Sequence, residues 1–340
     1  MLYYLYSEVG RRAVRRPRGA AGEEDAAAKR RGGRGGQRCG GKRRGGLFSG
    51  PWVLKGADVK LIESKIRGKR YDQSQCEDGM FVGSRLAVVI DGVTAHGKLR
   101  WNGGSSGRFA KEVLCEFLRT HEEELAVLSA GEFMRRLNDI LAEKVEEVRP
   151  GPKALEEYPR ACIVLYNAVA REVWSYGDCQ CMIGGELHHK EKEVDRLLSE
   201  LRQFVIESEV LKAERAGESA QEYLEQVPMH DLGREIVSPL IERQMLFENT
   251  PGAFGYPVLN GLNFAQEMIK VWPVPEGAEV VLASDGYPEL CGTLAESEAR
   301  LKEILAEDPL CIGRNAGTKG VMEGQESFDD RNYVRVVSGE

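Results

Sequence analysis

The chain has 340 residues, of which 42% are hydrophobic and 30% charged, with a formal net charge of −7. This is the composition of a folded globular protein with room for one large domain or two small ones, and it excludes a collagen-like, wholly disordered or disulfide-dense chain. The charge is uneven: residues 1–50 hold 13 Lys and Arg against 4 Asp and Glu, so the remaining chain is strongly acidic, a body that collects cations and makes a poor nucleic-acid binder.

Residues 1–50 read as a disordered Arg/Gly-rich tail. Arg31 to Gly36 and Gly40 to Gly46 are low complexity and cannot bury enough apolar surface to offset the entropy of ordering. The acidity of the rest argues against nucleic-acid contact by this tail. Its opening, Met1 to Tyr6, is too short for a signal-peptide core. No run of about 20 apolar residues is present to cross a membrane. The eight cysteines include no CxxC pair, which points to reduced thiols and a cytoplasmic protein.

A domain is expected over 51–340. Residues 53–62 and 80–90 read as strands, the second ending at Asp91. Ser105-Ser106-Gly107 opens a helix whose apolar residues, Phe109, Val113, Leu114, Phe117 and Leu118, recur at helical spacing. A second helix runs from Phe133 to Val148 and stops at Pro150-Gly151-Pro152. Ala161–Tyr166 and Glu172–Tyr176 read as an antiparallel hairpin, and Gln180 to Gly185 as a third strand turning back. Residues 190–248 are highly charged and read as a helical insertion with a break at Pro228. Glu279–Ala283 is a strand, Thr293-Leu294-Ala295-Glu296 a capping box that opens a helix, and Tyr333–Val337 the last strand. Hairpins separated by helix pairs imply an α+β fold and not a doubly wound parallel sheet.

Five acidic clusters punctuate this layout: Glu77-Asp78, Asp91-Gly92, Gly177-Asp178, Ser284-Asp285-Gly286 and Asp329-Asp330. Several stand where a strand stops. Like charges a few ångströms apart cannot all stay ionised, and hard divalent cations with oxygen ligands are the simplest remedy. If the clusters converge, they point to a metal centre. Taken singly, each is equally a turn or a solvated bend.

In order, these motifs resemble the metal-dependent protein phosphatases of the PP2C (PPM) type. Gln75-Cys76-Glu77-Asp78 is similar to the family's early Glu-Asp motif, and Val88-Val89-Ile90-Asp91-Gly92 to its Asp-Gly metal motif. Ser175-Tyr176-Gly177-Asp178 resembles the Gly-Asp-Ser strand. Ala283-Ser284-Asp285-Gly286 is close to the Ser-Asp-Gly motif, and Phe328-Asp329-Asp330-Arg331-Asn332 is similar to the terminal Asp-Asp/Asn motif. The resemblance spans roughly 55–338. It implies a four-layer αββα sandwich of two antiparallel sheets flanked by helices, with a metal site at one end. Carried over by position, Asp91 would bridge two Mn²⁺ or Mg²⁺ ions and the Gly92 carbonyl would bind one of them. Asp285 and Asp329 would hold the first ion, Glu77 the second, and Asp178 a possible third, weaker one.

The implied activity is hydrolysis of phosphate monoesters by a metal-bridging hydroxide, with phosphoserine and phosphothreonine in proteins as substrates. No CxxxxxR signature is present for a thiol nucleophile. The chain departs from the family in lacking His two residues after Asp91. His96 or a metal-bound water is left to protonate the leaving group. Arg70 is a candidate phosphate ligand, Lys319 a candidate to reach the cleft, and His188-His189 a pair without ligand-spaced partners. A phosphatase for a small metabolite and a catalytically silent interaction domain of the same fold remain as alternatives. The sequence carries no signal for oligomeric state.

Overall fold

The computed structural model describes residues 58–94, 96–189 and 191–338. The chain divides into two units, Met1–Leu54 and Lys55–Glu340, and all described residues belong to the second. The tail expected over 1–50 and the first residues of the strand expected over 53–62 lie outside them.

Among the described residues, ten strands form two five-stranded sheets. One has the order β2 (Gly79–Val82), β3 (Leu86–Gly92), β4 (Ala161–Asn167), β5 (Glu172–Tyr176), β8 (Lys270–Pro273). The other runs β1 (Val59–Arg67), β10 (Arg331–Ser338), β9 (Glu279–Ala283), β6 (Gln180–Ile183), β7 (Glu186–His188). Every pairing is antiparallel.

Alternation along β3 explains its unbroken apolar run. Val88 and Ile90 face a helical layer, where they pack with Phe109, Leu114, Phe133 and Leu137. Ala87 and Val89 face the opposite sheet and meet Cys181, Leu282, Val334 and Val336. A strand buried on both faces shows no polar alternate positions. The helical layer is α1 (Ser106–Leu125) and α2 (Ala130–Val148), each started by a serine cap; Ser129 and Glu132 form a full capping box. The outer face of the second sheet, through Val281, Ala283 and Tyr333, is covered by α6 (Leu294–Glu307) at Leu301. The architecture is therefore helices, sheet, sheet, helix, in agreement with the αββα expectation, although among the described residues this second outer layer is a single helix.

The segment after His189 folds as α3 (Glu193–Ala216), α4 (Ala220–Gln226) and α5 (Leu232–Gln244). Val194 and Leu198 of α3 and Val237 and Ile241 of α5 close the end of the inter-sheet core. Ile206 and Val210 pack instead on Leu224, Val227 and Leu310 in a satellite cluster.

Three elements differ from the sequence reading. The strand expected over 80–90 is two, β2 and β3, folded back at Gly83, whose N–H donates to the Leu86 carbonyl at 2.9 Å. A tight turn of Gly83-Ser84-Arg85 is too short to interrupt the apolar pattern. The strands β7 and β8 were not expected; both are edge strands, and β8 ends in Pro273, as a strand with an unpaired side can.

The pairing brings the acidic clusters to one end. Gly79 opposes Ile90, so Glu77-Asp78, just before β2, stands beside Asp91 at the end of β3. Ala283 opposes both Tyr333 and Gln180, so Ser284-Asp285 leaves β9 where Asp329-Asp330 enters β10 and Gly177-Asp178 enters β6.

Candidate functional site

Asp91 and Asp285 are the open pair of this end. Among the described residues neither carboxylate takes part in a hydrogen bond or ion pair. Burial, and then the charge of Asp285, push the Asp91 carboxyl well above its usual range. Burial, and then Asp329 and Asp178, raise Asp285 to about 7. Both glycines that follow are there for backbone approach. A Cβ on Gly92 would stand 2.5 Å from the carbonyl oxygens of Glu77 and Gly107, and one on Gly286 would stand 1.9 Å from the Asp330 carbonyl oxygen. The Asp-Gly pattern thus records two places where neighbouring backbone closes over the end of a strand. The Gly92 carbonyl oxygen itself lies 2.7 Å from where a Gly107 Cβ would be, at the start of α1.

The second acid of the first and last clusters holds the frame together. Asp330 accepts the backbone N–H groups of Lys69 and Glu77, each at 2.7 Å. Asp78 accepts the Ser284 hydroxyl at 2.7 Å, and Ser284 in turn accepts the Asn332 N–H at 2.9 Å. Burial, and next the neighbouring Asp330, raise the Asp78 carboxyl. Three motifs far apart in sequence, and the segment that carries Lys69, are locked by these few bonds.

Three lysines enter the cluster. Lys69 Nζ is 2.9 Å from Asp329 Oδ1, 3.0 Å from Thr94 Oγ1 and 3.5 Å from Glu77 Oε2. Lys319 Nζ is 2.5 Å from Asp329 Oδ2. Lys192 Nζ is 2.5 Å from Asp178 Oδ2. Burial works to raise the carboxyls of Asp329 and Asp178, but Lys319 and Lys69 hold the first below its usual range and Lys192 the second. Glu77 also receives the hydroxyls of Ser105, the α1 cap, at 2.6 Å and of Thr94 at 3.0 Å. Neither Lys69 nor Lys192 was marked by the sequence, where each sits in an ordinary charged stretch. Lys319 reaches the cleft.

A cavity of about 370 Å³ opens here, lined by Asp178, Asp285 and Asp329 together with Lys192, Lys319 and Arg314. His96 is half-buried at this end. Burial, and then the charges of Arg234, Lys319 and Arg160, lower its imidazole to about 4. The lowered value favours the neutral imidazole near pH 7, a weaker proton donor than the imidazolium expected of a general acid. Arg70 is exposed and donates to the Gln75 side-chain oxygen at 2.5 Å. His188 stacks on Trp272 with ring centroids 5.1 Å apart, and His189 lines the cavity.

The donor chemistry at Asp91 and Asp285 fits a hard divalent cation: acceptor-only oxygens, paired with nothing else, whose repulsion a cation would relieve. Glu77, Asp178 and Asp329 do not fit as they stand, because ammonium groups hold all three. Among the described residues no three His, Cys, Asp or Glu side chains gather as a ready metal cage. Also among these residues, no helix is long and apolar enough to cross a membrane.

No family model and no curated protein matches the chain. Solved structures do. The serine/threonine phosphatase PstP/Ppp of Mycobacterium tuberculosis aligns at 15% identity and TM-score 0.41, over 83% of this chain and 100% of that one. The PstP catalytic domain in complex with two manganese ions aligns at 15% identity and TM-score 0.40, over 82% and 99%. The PPM Ser-Thr phosphatase MsPP of Mycobacterium smegmatis, in complex with cacodylate, aligns at 13% identity and TM-score 0.39, over 82% and 99%. At such identities and TM-scores the likeness adds nothing to what the strands and carboxylates establish by themselves.

Proposed function

We propose that this chain is a divalent-cation-dependent phosphatase acting on phosphate monoesters, with phosphoserine and phosphothreonine in proteins as the substrate class. The carrying observation is the pair Asp91 and Asp285: two carboxylates without a hydrogen-bond or ion-pair partner among the described residues, raised by burial and by the carboxylates around them, at the strand ends beside a cation-rimmed cavity. A cavity lined with both carboxylates and ammonium groups suits a substrate that carries a dianion and needs a metal to accept it.

A divalent ion bound there would supply Lewis-acid polarisation of a phosphate oxygen and an activated water. Asp91 and Asp285 would hold it, which is the part of the expected ligand set whose donors are free. Lys319 and Arg314, on the cavity wall, would attract the phosphate oxygens and fix their orientation. Asp329, clamped by Lys69 and Lys319, would set the position of Lys319.

The seven described cysteines are all free thiols, which supports a reducing compartment such as the cytoplasm. A second reading, a catalytically silent interaction domain, is favoured by one observation: ammonium groups already occupy three of the carboxylates. Mn²⁺-dependent hydrolysis of p-nitrophenyl phosphate with an EDTA control separates the two. Turnover of phosphopeptides against phosphorylated metabolites then tests the substrate class.

A further inference from the structure

The lysines in the carboxylate cluster are built parts of it. Lys69 Nζ donates to Asp329 and Thr94 and lies 3.5 Å from Glu77 Oε2, with its side chain only 7% exposed. Its own backbone N–H is fixed by Asp330 at 2.7 Å, so the stem starts from a held point. Lys192 is anchored as firmly. Its carbonyl accepts the N–H groups of Asp195 and Arg196 at 3.0 and 3.1 Å in the first turn of α3. Its Nζ lies against Asp178, with Asp195 Oδ2 at 3.8 Å and the Tyr256 ring centroid at 5.1 Å. A buried ammonium is costly unless paired, and both of these are paired with carboxylates that a metal would otherwise need.

The pairings decide how much room is left. Of the five carboxylates of the expected ligand set, Glu77, Asp178 and Asp329 face the ammonium groups of Lys69, Lys192 and Lys319. Among the described residues, the two of that set that remain without partners are Asp91 and Asp285.

We propose that Lys69 and Lys192 are internal counter-cations standing in for metal ions at Glu77 and Asp178, so that the centre takes a single divalent ion, at Asp91 and Asp285. This rests on the metal-dependent reading above and replaces the two or three ions implied by the motif resemblance. It also means that α3 is pinned to the site by the charge of Lys192, which tightens the inserted helices against the cluster whether or not a metal is bound.

The test is the number of Mn²⁺ ions held per chain, read by electron paramagnetic resonance of the free ion during titration of the full-length protein. The wild type is expected to hold one tightly, and Lys192→Arg, which keeps the charge, also one. Lys192→Met and Lys69→Met, verified as folded by circular dichroism, are each expected to hold one more, as the freed carboxylate takes an ion. Two or more tight ions in the wild type overturn the inference and leave the phosphatase reading intact. A count that stays at one in both Met variants overturns the stand-in role. No ion in the wild type overturns the inference and the metal-dependent reading together.

Discussion

Asp330 Oδ2 accepts the backbone N–H of Glu77 at 2.7 Å, a bond between residues 253 apart in sequence. Its other oxygen accepts the Lys69 N–H, also at 2.7 Å. One buried carboxylate therefore fixes both the segment that carries Lys69 and the one that carries Glu77. Asp330→Ala strands two buried donors, at about 1–3 kcal/mol each. The expected loss is about 3 kcal/mol in urea unfolding, and a loss under about 1 kcal/mol would show the bond to be incidental.

The metal-free protein should be destabilised as pH rises. Burial and the neighbouring carboxylates raise Asp285 to about 7 and push Asp91 up as well. A raised carboxyl favours the folded state while it is protonated, and the contribution is full below the unfolded pKa of about 4. It is lost as pH climbs through the folded value. Thermal unfolding in EDTA should show the melting temperature falling between about pH 4 and pH 7. Asp285→Asn should flatten that slope, and an equally steep slope in the variant would contradict the assignment.

Arg202 ties the inserted helices to the loop that carries Lys319. It is fully buried on α3 and bonds Asp231 at 2.9 Å, the carbonyls of Cys311 and Gly317 at 3.0 Å each, and that of Leu310 at 2.8 Å. Arg202→Met leaves Asp231 buried without its counter-charge, a change of about 3–5 kcal/mol. Amide exchange should quicken over 310–319 beyond what global destabilisation explains. Unchanged protection there would mean the loop is held by something else.

The outline of this end was legible in the sequence because strand-ending carboxylates are local signals. Asp91 after Val88-Val89-Ile90 and Asp285 after Val280-Val281-Leu282-Ala283 can be seen without knowing what lies opposite. The division of labour inside each acidic pair could not be seen: Asp78 and Asp330 brace backbone and Ser284, and only the register between β2, β9 and β10 reveals it. Lys69 and Lys192 were hidden for a related reason. A lysine is recognised as internal only through its partners, and the partner of Lys69, Asp329, is 260 residues away. The β2–β3 hairpin was hidden by its shortness.

His96 should matter little to the rate. With its imidazole lowered to about 4 by burial and by Arg234, Lys319 and Arg160, it is already neutral across the working range. His96→Gln should leave kcat within about threefold and the pH–rate profile unmoved between pH 6 and 9, whereas loss of a true proton donor costs about 10²–10⁴-fold. A drop of that size, with a shifted limb in the profile, would restore His96 as the acid.

The most direct measurement of the central claim is the rate of p-nitrophenyl phosphate hydrolysis by the purified chain in Mn²⁺, set beside the same chain in EDTA and beside Asp91→Asn in Mn²⁺. The expected result is turnover that EDTA abolishes and that Asp91→Asn lowers by at least about 10²-fold, with a circular dichroism spectrum unchanged from wild type. Full turnover in EDTA, or in folded Asp91→Asn, would contradict it.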